Sequence, residues 1–403
     1  MKKIVWLSNV SFSKELIRAT GGWLQPLAMK LNHTGSFKMY NLALGNKAEE
    51  YDVDGISQIV ILKKSDKALS LEVKSILDKI KPDLVHIWGT EGIWAAIYKN
   101  GFISFKTIID IQGLLFAYTQ FYYGGLSYLE IFKTITIKEL IMPNRILTQR
   151  KNKFRERGYE EVEALKCFKH ISYQSIWVKN HVQYINSKAN LYATKILLRD
   201  SFYSSPKWKF KKNKGSPVIF SSSSAAVSYK GIHVLIKATK FLKRQYPNVK
   251  LRLAGNLMVG NKMIDGYSLF LKSLVDKNDL KDNVFYTGSL SEKEIVKELL
   301  ACDVCVVPSF VETYCLAFAE AMILGVPVVA SYAGAMPELA QDRKEALFYN
   351  SRDVVACASM IAQLIEDEKL ASDISKYAIK RRELENAPEL VLENQIQIYN
   401  QLI

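Results

Sequence analysis

The chain has 403 residues, 49% of them apolar, a formal net charge of +15 and five cysteines. That length suits two domains of ordinary size, each burying its own core. It excludes a small disulfide scaffold and, with no uninterrupted apolar run of about twenty residues, a helical membrane span.

The first ten residues, MKKIVWLSNV, read as an opening strand rather than a cleavable signal, so a cytoplasmic protein is expected. The cysteines are scattered at positions 167, 302, 305, 315 and 357, the pattern of free thiols in a reducing compartment. Charge is shared unevenly. Up to Ser205 there are 29 Lys/Arg against 18 Asp/Glu; beyond it there are 26 against 22. A surplus on one domain fits an acidic partner, whether a phosphorylated lipid, an anionic membrane or nucleic acid, and fits simple solubility equally well.

In chain order, the first half alternates strand-like runs with amphipathic stretches: IVWLSNV, a helix from Trp23, FKMYNLALG, ISQIVILK, a helix near Leu69 to Ile80, LVHIWG and TIIDIQG. The stretch from Ile111 to Leu129 carries no charge and is crowded with aromatics, and Lys133, Lys138, Arg145, Arg150 and Lys151 follow it. Such a stretch suits a lipid-headgroup interface, a stacking platform for sugars, or a packed core loop. SFYSSPKWKFKKNKGSP interrupts the apolar periodicity and reads as the linker.

The second half repeats the rhythm with PVIFSSS, GIHVLIKATKFLKRQ, VKLRLAGN, NVFYTGSL, ACDVCVVPS, a helix from about Cys315, and PVVASYAG. The expected fold is α/β: two Rossmann-like, doubly wound domains, residues 1–205 and 206–385, facing a central cleft, with a terminal helix at 386–403 packing back on the first. In such sheets ligands sit beyond the carboxyl ends of the strands, so the informative residues are those at strand ends: Gly21 and Gly22, His86, Gln112, Lys230, Glu312 and Gly334.

The densest constellation is PSFVETYCLAFAEAMILGVPVVAS, from Pro308 to Ser331. Glu312 precedes a helix and Glu320 lies within it, so two carboxylates can address one ligand. The amides of Tyr314, Cys315 and Leu316 fall at the helix N-terminus, where unpaired N–H groups and the helix dipole favour phosphate. A ligand bearing both phosphate and hydroxyls fits this pattern.

Here the chain resembles glycosyltransferase family 4, the retaining GT-B enzymes of bacterial polysaccharide biosynthesis. Their signature of Glu, seven residues and Glu, then Ala-Met and Gly-x-Pro-Val-Val-Ala-Ser, is matched by Glu312, Glu320, Ala321-Met322, Gly325 and Pro327 to Ser331. The resemblance implies that Glu312 contacts the transferred sugar and Glu320 the nucleotide ribose. It also implies that Lys230, in Lys230-Gly231, holds the donor diphosphate and that Gly334, in GAMPE, belongs to the donor site. Gly21-Gly22-Trp23 resembles the family's glycine-rich loop, although a strand-to-helix turn needs glycine for steric reasons alone.

Three positions depart from the pattern. Ser224 stands where the family has an arginine six residues before the lysine, Cys315 stands for a glycine, and Gln112 stands for a histidine. A hydroxyl supplies less charge to a departing phosphate than a guanidinium, and Gln112 cannot act as a base. Other signals point away from chemistry. Asp52-Val-Asp54 reads as an acidic loop rather than a metal motif, and Cys302 and Cys305 read as buried thiols opening a strand. His86 reads more readily as structural than catalytic.

The resemblance therefore implies a retaining transferase moving a hexose-type sugar from a nucleotide-sugar donor to a saccharide acceptor, free or lipid-linked, with no metal or cofactor. The partners implied are that donor, that acceptor and an anionic membrane touched peripherally at its cytoplasmic face. Nucleic acid is not implied, for lack of a recognition motif. The three departures leave a second reading open, a catalytically silent GT-B protein that binds sugar nucleotide or polysaccharide.

Overall fold

A computed structural model describes residues 1–13, 22–212, 215–223, 227–255 and 265–403. Contacts divide the chain into two units, Met1–Ala117 with Arg155–Arg199 and Glu385–Ile403, and Tyr118–Phe154 with Asp200–Leu384.

The first unit is built on eight strands: β1 (Lys2–Ser8), β2 (Phe37–Gly45), β3 (Glu49–Val53), β4 (Ile56–Leu62), β5 (Leu84–Trp88), β6 (Thr107–Asp110), β7 (His170–Tyr173) and β8 (Asn190–Ala193). Their order is β3-β4-β2-β1-β5-β6-β7-β8, parallel throughout except that β3 runs antiparallel to β4. The central strands read as continuous apolar runs because helices cover both faces. Val5, Leu7, Val85, Ile87 and Ile109 all belong to one buried cluster with Val73, Leu77, Trp94 and Leu165 from the helices. The closing helix Pro388–Leu402 belongs to this unit, where the Tyr399 hydroxyl accepts the Trp6 indole N–H at 2.8 Å.

The second unit has six parallel strands: β9 (Val218–Ser221), β10 (Lys250–Leu253), β11 (Val284–Tyr286), β12 (Val304–Val307), β13 (Val328–Ser331) and β14 (Leu347–Tyr349), in the order β11-β10-β9-β12-β13-β14. This is the doubly wound pattern, with the winding reversing between β9 and β12.

Two features differ from the sequence reading. Strands β3, β7, β8 and β14 escaped it; β3 and β8 are edge strands too exposed to show an apolar run, and β7 and β14 are runs of four and three residues with no apolar stretch beyond them. Tyr118–Phe154 precedes the linker, yet it is packed into the second unit. Its aromatics decide this, since Tyr118, Tyr122 and Leu126 are buried and the Tyr122 carbonyl accepts the Ser228 hydroxyl at 2.5 Å.

Candidate active site

The reversal of winding between β9 and β12 sends the loops leaving these neighbouring strands to opposite faces, which opens a crevice at their carboxyl ends. Lys230 lies in the loop after β9, in the 3-10 turn Ser228–Lys230, and Glu312 lies in the loop after β12. The backbone ties the two loops together, with the Phe310 N–H donating to the Tyr229 carbonyl at 2.7 Å. Gly231 has φ 73°, and a Cβ there would collide with the Pro308 carbonyl oxygen. Glycine after the lysine is therefore what lets the two loops close. The loop after β13 joins them through the Ala335 N–H, which donates to the Glu312 carbonyl at 2.9 Å, while a Cβ on Gly334 would strike the Glu312 backbone.

This packing sets Lys230 Nζ 2.7 Å from Glu312 Oε1, with the side chains 25% and 9% exposed. Burial works against the Lys230 ammonium. The nearby Glu312 carboxylate, with Tyr118 and Cys315 beside it, outweighs burial and holds the Lys230 pKa above that of an ordinary lysine. A cation and an acceptor thus meet at the switch point.

The helix Leu316–Ile323 follows, with Glu320 buried on it and Cys315 as its N-cap. Cys315 makes no side-chain cap hydrogen bond to the first turn, and the N–H groups of a helix start are the groups that favour an anion. Cys315 has φ 82°, a left-handed conformation that strains any residue with a Cβ. Glycine is the natural occupant of that backbone. The cysteine keeps the geometry at a cost of about 1–2 kcal/mol, and burial pushes its thiol pKa far up. The Tyr314 phenol is anchored on the guanidinium of Arg382, 3.4 Å away.

Residues 204–381 match the family model of the glycosyl transferases, group 1. The chain is 28% identical over 177 residues to the glycosyltransferase YqgM of Bacillus subtilis, covering 44% of this chain and 47% of that protein. It is 28% identical over 151 residues to a D-inositol 3-phosphate glycosyltransferase of Corynebacterium urealyticum, covering 37% and 35%. The chain thus spans less than half the length of these curated relatives. Among solved structures, sucrose-phosphate synthase from Thermosynechococcus elongatus superposes with a TM-score of 0.74 at 15% identity, covering 100% of this chain and 99% of the other. HepE of Anabaena, solved with UDP and glucose, gives 0.70 at 15% identity and covers 100% of both. These structures establish a GT-B fold, and Lys230, Glu312, Cys315, Glu320 and Gly334 all fall inside the group 1 match.

The remaining sequence-predicted residues fare unevenly. Ser224 and Gly21 lie outside the described residues, and Gly22 directly precedes Trp23, the N-cap of the helix Leu24–His33. His86 does not end its strand, because β5 runs on to Trp88. Its Nδ1 lies 2.8 Å from the Tyr399 hydroxyl and its ring stacks on Trp88 at 3.9 Å. Complete burial lowers its pKa to about 3, so it is a neutral core histidine. Gln112 lies just past β6, its Oε1 beside Gly89. Asp52 sits on β3, where its Oδ1 accepts the Gly55 N–H at 2.8 Å, so the acidic pair belongs to a hairpin rather than a loop. Cys302 and Cys305 are free and buried.

The structure also adds residues that the sequence left unmarked. The Tyr118 hydroxyl accepts the Thr313 N–H at 3.0 Å and so braces the loop carrying Glu312. Nothing local in a run of aromatics distinguishes the one that turns inward. In the first unit, the Glu91 carboxylate packs over Gly89 and Gly113 at the ends of β5 and β6, and burial raises its pKa. Glu161 is buried beneath, with Oε1 paired to the Thr90 hydroxyl and Oε2 accepting the Phe116 N–H at 2.9 Å, and burial raises its pKa to about 7. The helical spacing of Phe154, Gly158, Glu161 and Leu165 puts this glutamate on the apolar face, the one signal that marks it.

Proposed function

We propose that the chain is a retaining glycosyltransferase that moves a hexose-type sugar from a nucleotide-sugar donor to a saccharide acceptor, lipid-linked, in the building of a cell-surface polysaccharide. The observation that carries this reading is the Lys230–Glu312 pair at the β9/β12 switch point, within the group 1 match.

In this reading the donor diphosphate takes Lys230 from Glu312, and the amides of Cys315 and Leu316 add hydrogen bonds at the helix start. Glu312, released from the lysine, turns to the sugar hydroxyls, while Glu320 addresses the ribose. The bond from the anomeric carbon to the phosphate oxygen breaks as the bond to the acceptor oxygen forms on the same face. The acceptor proton passes to the departing phosphate. No strong protein base is then required, which accommodates Gln112, and Lys230 stabilises the charge that develops on the leaving group. The nucleotide sugar is a substrate, and no metal or other cofactor enters the scheme. A lipid-linked acceptor brings the chain to the cytoplasmic face of an anionic membrane.

A panel of nucleotide sugars screened by thermal shift identifies the donor, because binding to the folded state raises its unfolding temperature. Transfer assays with Lys230→Ala and Glu312→Ala then each lose about two to four orders of magnitude. Near-normal transfer by both variants, each shown to be folded, would overturn the assignment.

A further inference from the structure

The segment Tyr118–Phe154 has two faces of opposite character. Its inner face grips the second unit near the catalytic pair. The Gly124 carbonyl lies 2.9 Å from His233 Nε2, Glu130 pairs with Lys237, and Glu139 Oε1 accepts the Gly266 N–H at 2.8 Å. The two acidic side chains of the segment are thus both turned inward. Its outer face presents Tyr128, Leu129 and Phe132 from the helix Tyr128–Lys133 and Ile137, Leu140 and Ile141 from the helix Ile137–Ile141, all between 64% and 92% exposed. Six large apolar side chains left in water within fourteen residues exceed the scatter of single exposed hydrophobics found on any soluble surface.

We propose that this outer face docks on an anionic lipid bilayer, with the apolar side chains at the boundary of headgroups and acyl chains and the cations of the segment among the phosphates. Charge selects this occupant. The segment holds six Lys/Arg against two Asp/Glu. With Glu130 and Glu139 engaged inward, and Arg150 paired to Asp265, the remaining charges include exposed Lys133 and Lys153 and half-buried Arg145. A second copy would bring the same basic face and a net charge of +15, so like charges oppose self-association. The attachment is peripheral, since the two helices have six and five residues and no helix among the described residues is long and apolar enough to cross a membrane. The segment that braces the Glu312 loop thereby also holds the donor site against the lipid surface. This extends the lipid-linked acceptor of the proposed function, but its test needs no catalysis.

Co-sedimentation of the full chain with vesicles of phosphatidylglycerol and phosphatidylcholine, against phosphatidylcholine alone, tests it. Binding is expected to the anionic vesicles only, and to weaken as salt rises from low to about 0.5 M. Leu129→Glu/Phe132→Glu/Ile141→Glu should weaken binding by about a hundredfold or more, and Lys133→Gln/Arg145→Gln/Lys153→Gln by about a hundredfold, at roughly one kcal/mol per cation. Both variants should keep wild-type unfolding temperatures, which separates lost docking from lost folding. Absence of wild-type binding, or undiminished binding by the triple-glutamate variant, overturns the proposal. So does a wild-type dimer in sedimentation velocity that the same variant converts to monomer, which would make a second copy the occupant. A chain that binds vesicles but is stabilised by no nucleotide sugar keeps this surface and loses the proposed function.

Discussion

Replacing Lys230 by methionine tests the central pair by separating its structural role from its functional one. With Nζ 2.7 Å from Glu312 Oε1 and the glutamate only 9% exposed, the substitution strands a carboxylate among buried groups. Breaking a fully buried pair by removing one partner costs about 3–5 kcal/mol. The lysine here is 25% exposed, so water screens part of the interaction, and about 2–3 kcal/mol is expected. For a unit of this size that lowers its unfolding temperature by about 4–10 °C. Lys230→Met/Glu312→Gln leaves no charge to strand and should recover most of the loss. Stabilisation by the nucleotide sugar should not recover, because both variants lack the cation, and about 10–100-fold in donor affinity is lost in each. The readouts are urea and thermal unfolding of the wild type, the two single variants and the double variant, with and without donor. The pair is insensitive to pH over the neutral range. Its lysine pKa is raised above the unfolded value, so the stabilisation is complete below that unfolded value and is lost only as pH climbs through the raised one. A double variant as unstable as Lys230→Met, or normal donor stabilisation of either, would refute the reasoning.

Three further outcomes follow from particular contacts. Glu161 has its pKa raised by burial from the ordinary 4.5 to about 7, so between those values the folded state holds a proton that the unfolded chain has released; stability is greatest below about pH 4.5, falls as pH rises to 7 and then levels. Its neighbour Thr90 also donates to the Gly113 carbonyl, so an amide at 161 can donate to the Thr90 hydroxyl while its oxygen accepts the Phe116 N–H. Glu161→Gln should therefore stabilise the first unit at pH 8 by up to about 3 kcal/mol and flatten its pH profile; a destabilised variant at pH 8 counts against the buried proton. At Cys315, with φ 82°, the glycine variant should be more stable than the alanine variant by about 1 kcal/mol in urea unfolding, the reverse of the order in a helix interior. Gly231→Ala adds a Cβ against the Pro308 carbonyl at φ 73°, so it should cost about 2 kcal/mol or more and abolish donor stabilisation, and a tolerated alanine would show that the two loops need not close.

The sequence by itself determined the repeated strand-helix rhythm, two α/β domains and the Lys230, Glu312 and Glu320 constellation. These are legible because they are written in short-range patterns. An apolar run marks a buried strand, Lys230-Gly231 opens a helix-like run after one, and Glu312 and Glu320 flank a helix start. Cys315 was legible only as a departure from the motif, and its left-handed backbone belongs to the structure. Tertiary structure decided whatever depends on partners distant in the chain. His86 becomes a neutral core residue because Tyr399, from the far end of the chain, supplies its hydrogen bond. Burial among groups distant in the chain, Thr90 and Phe116 beside it, raises the Glu161 pKa to about 7. Tyr118–Phe154 was divided by composition into aromatics and cations, but its real division is by face. Tyr118, Glu130 and Glu139 turn inward to partners more than a hundred residues away, which leaves the apolar side chains of two short helices facing water, and no local pattern encodes which side of a segment its distant partners will take.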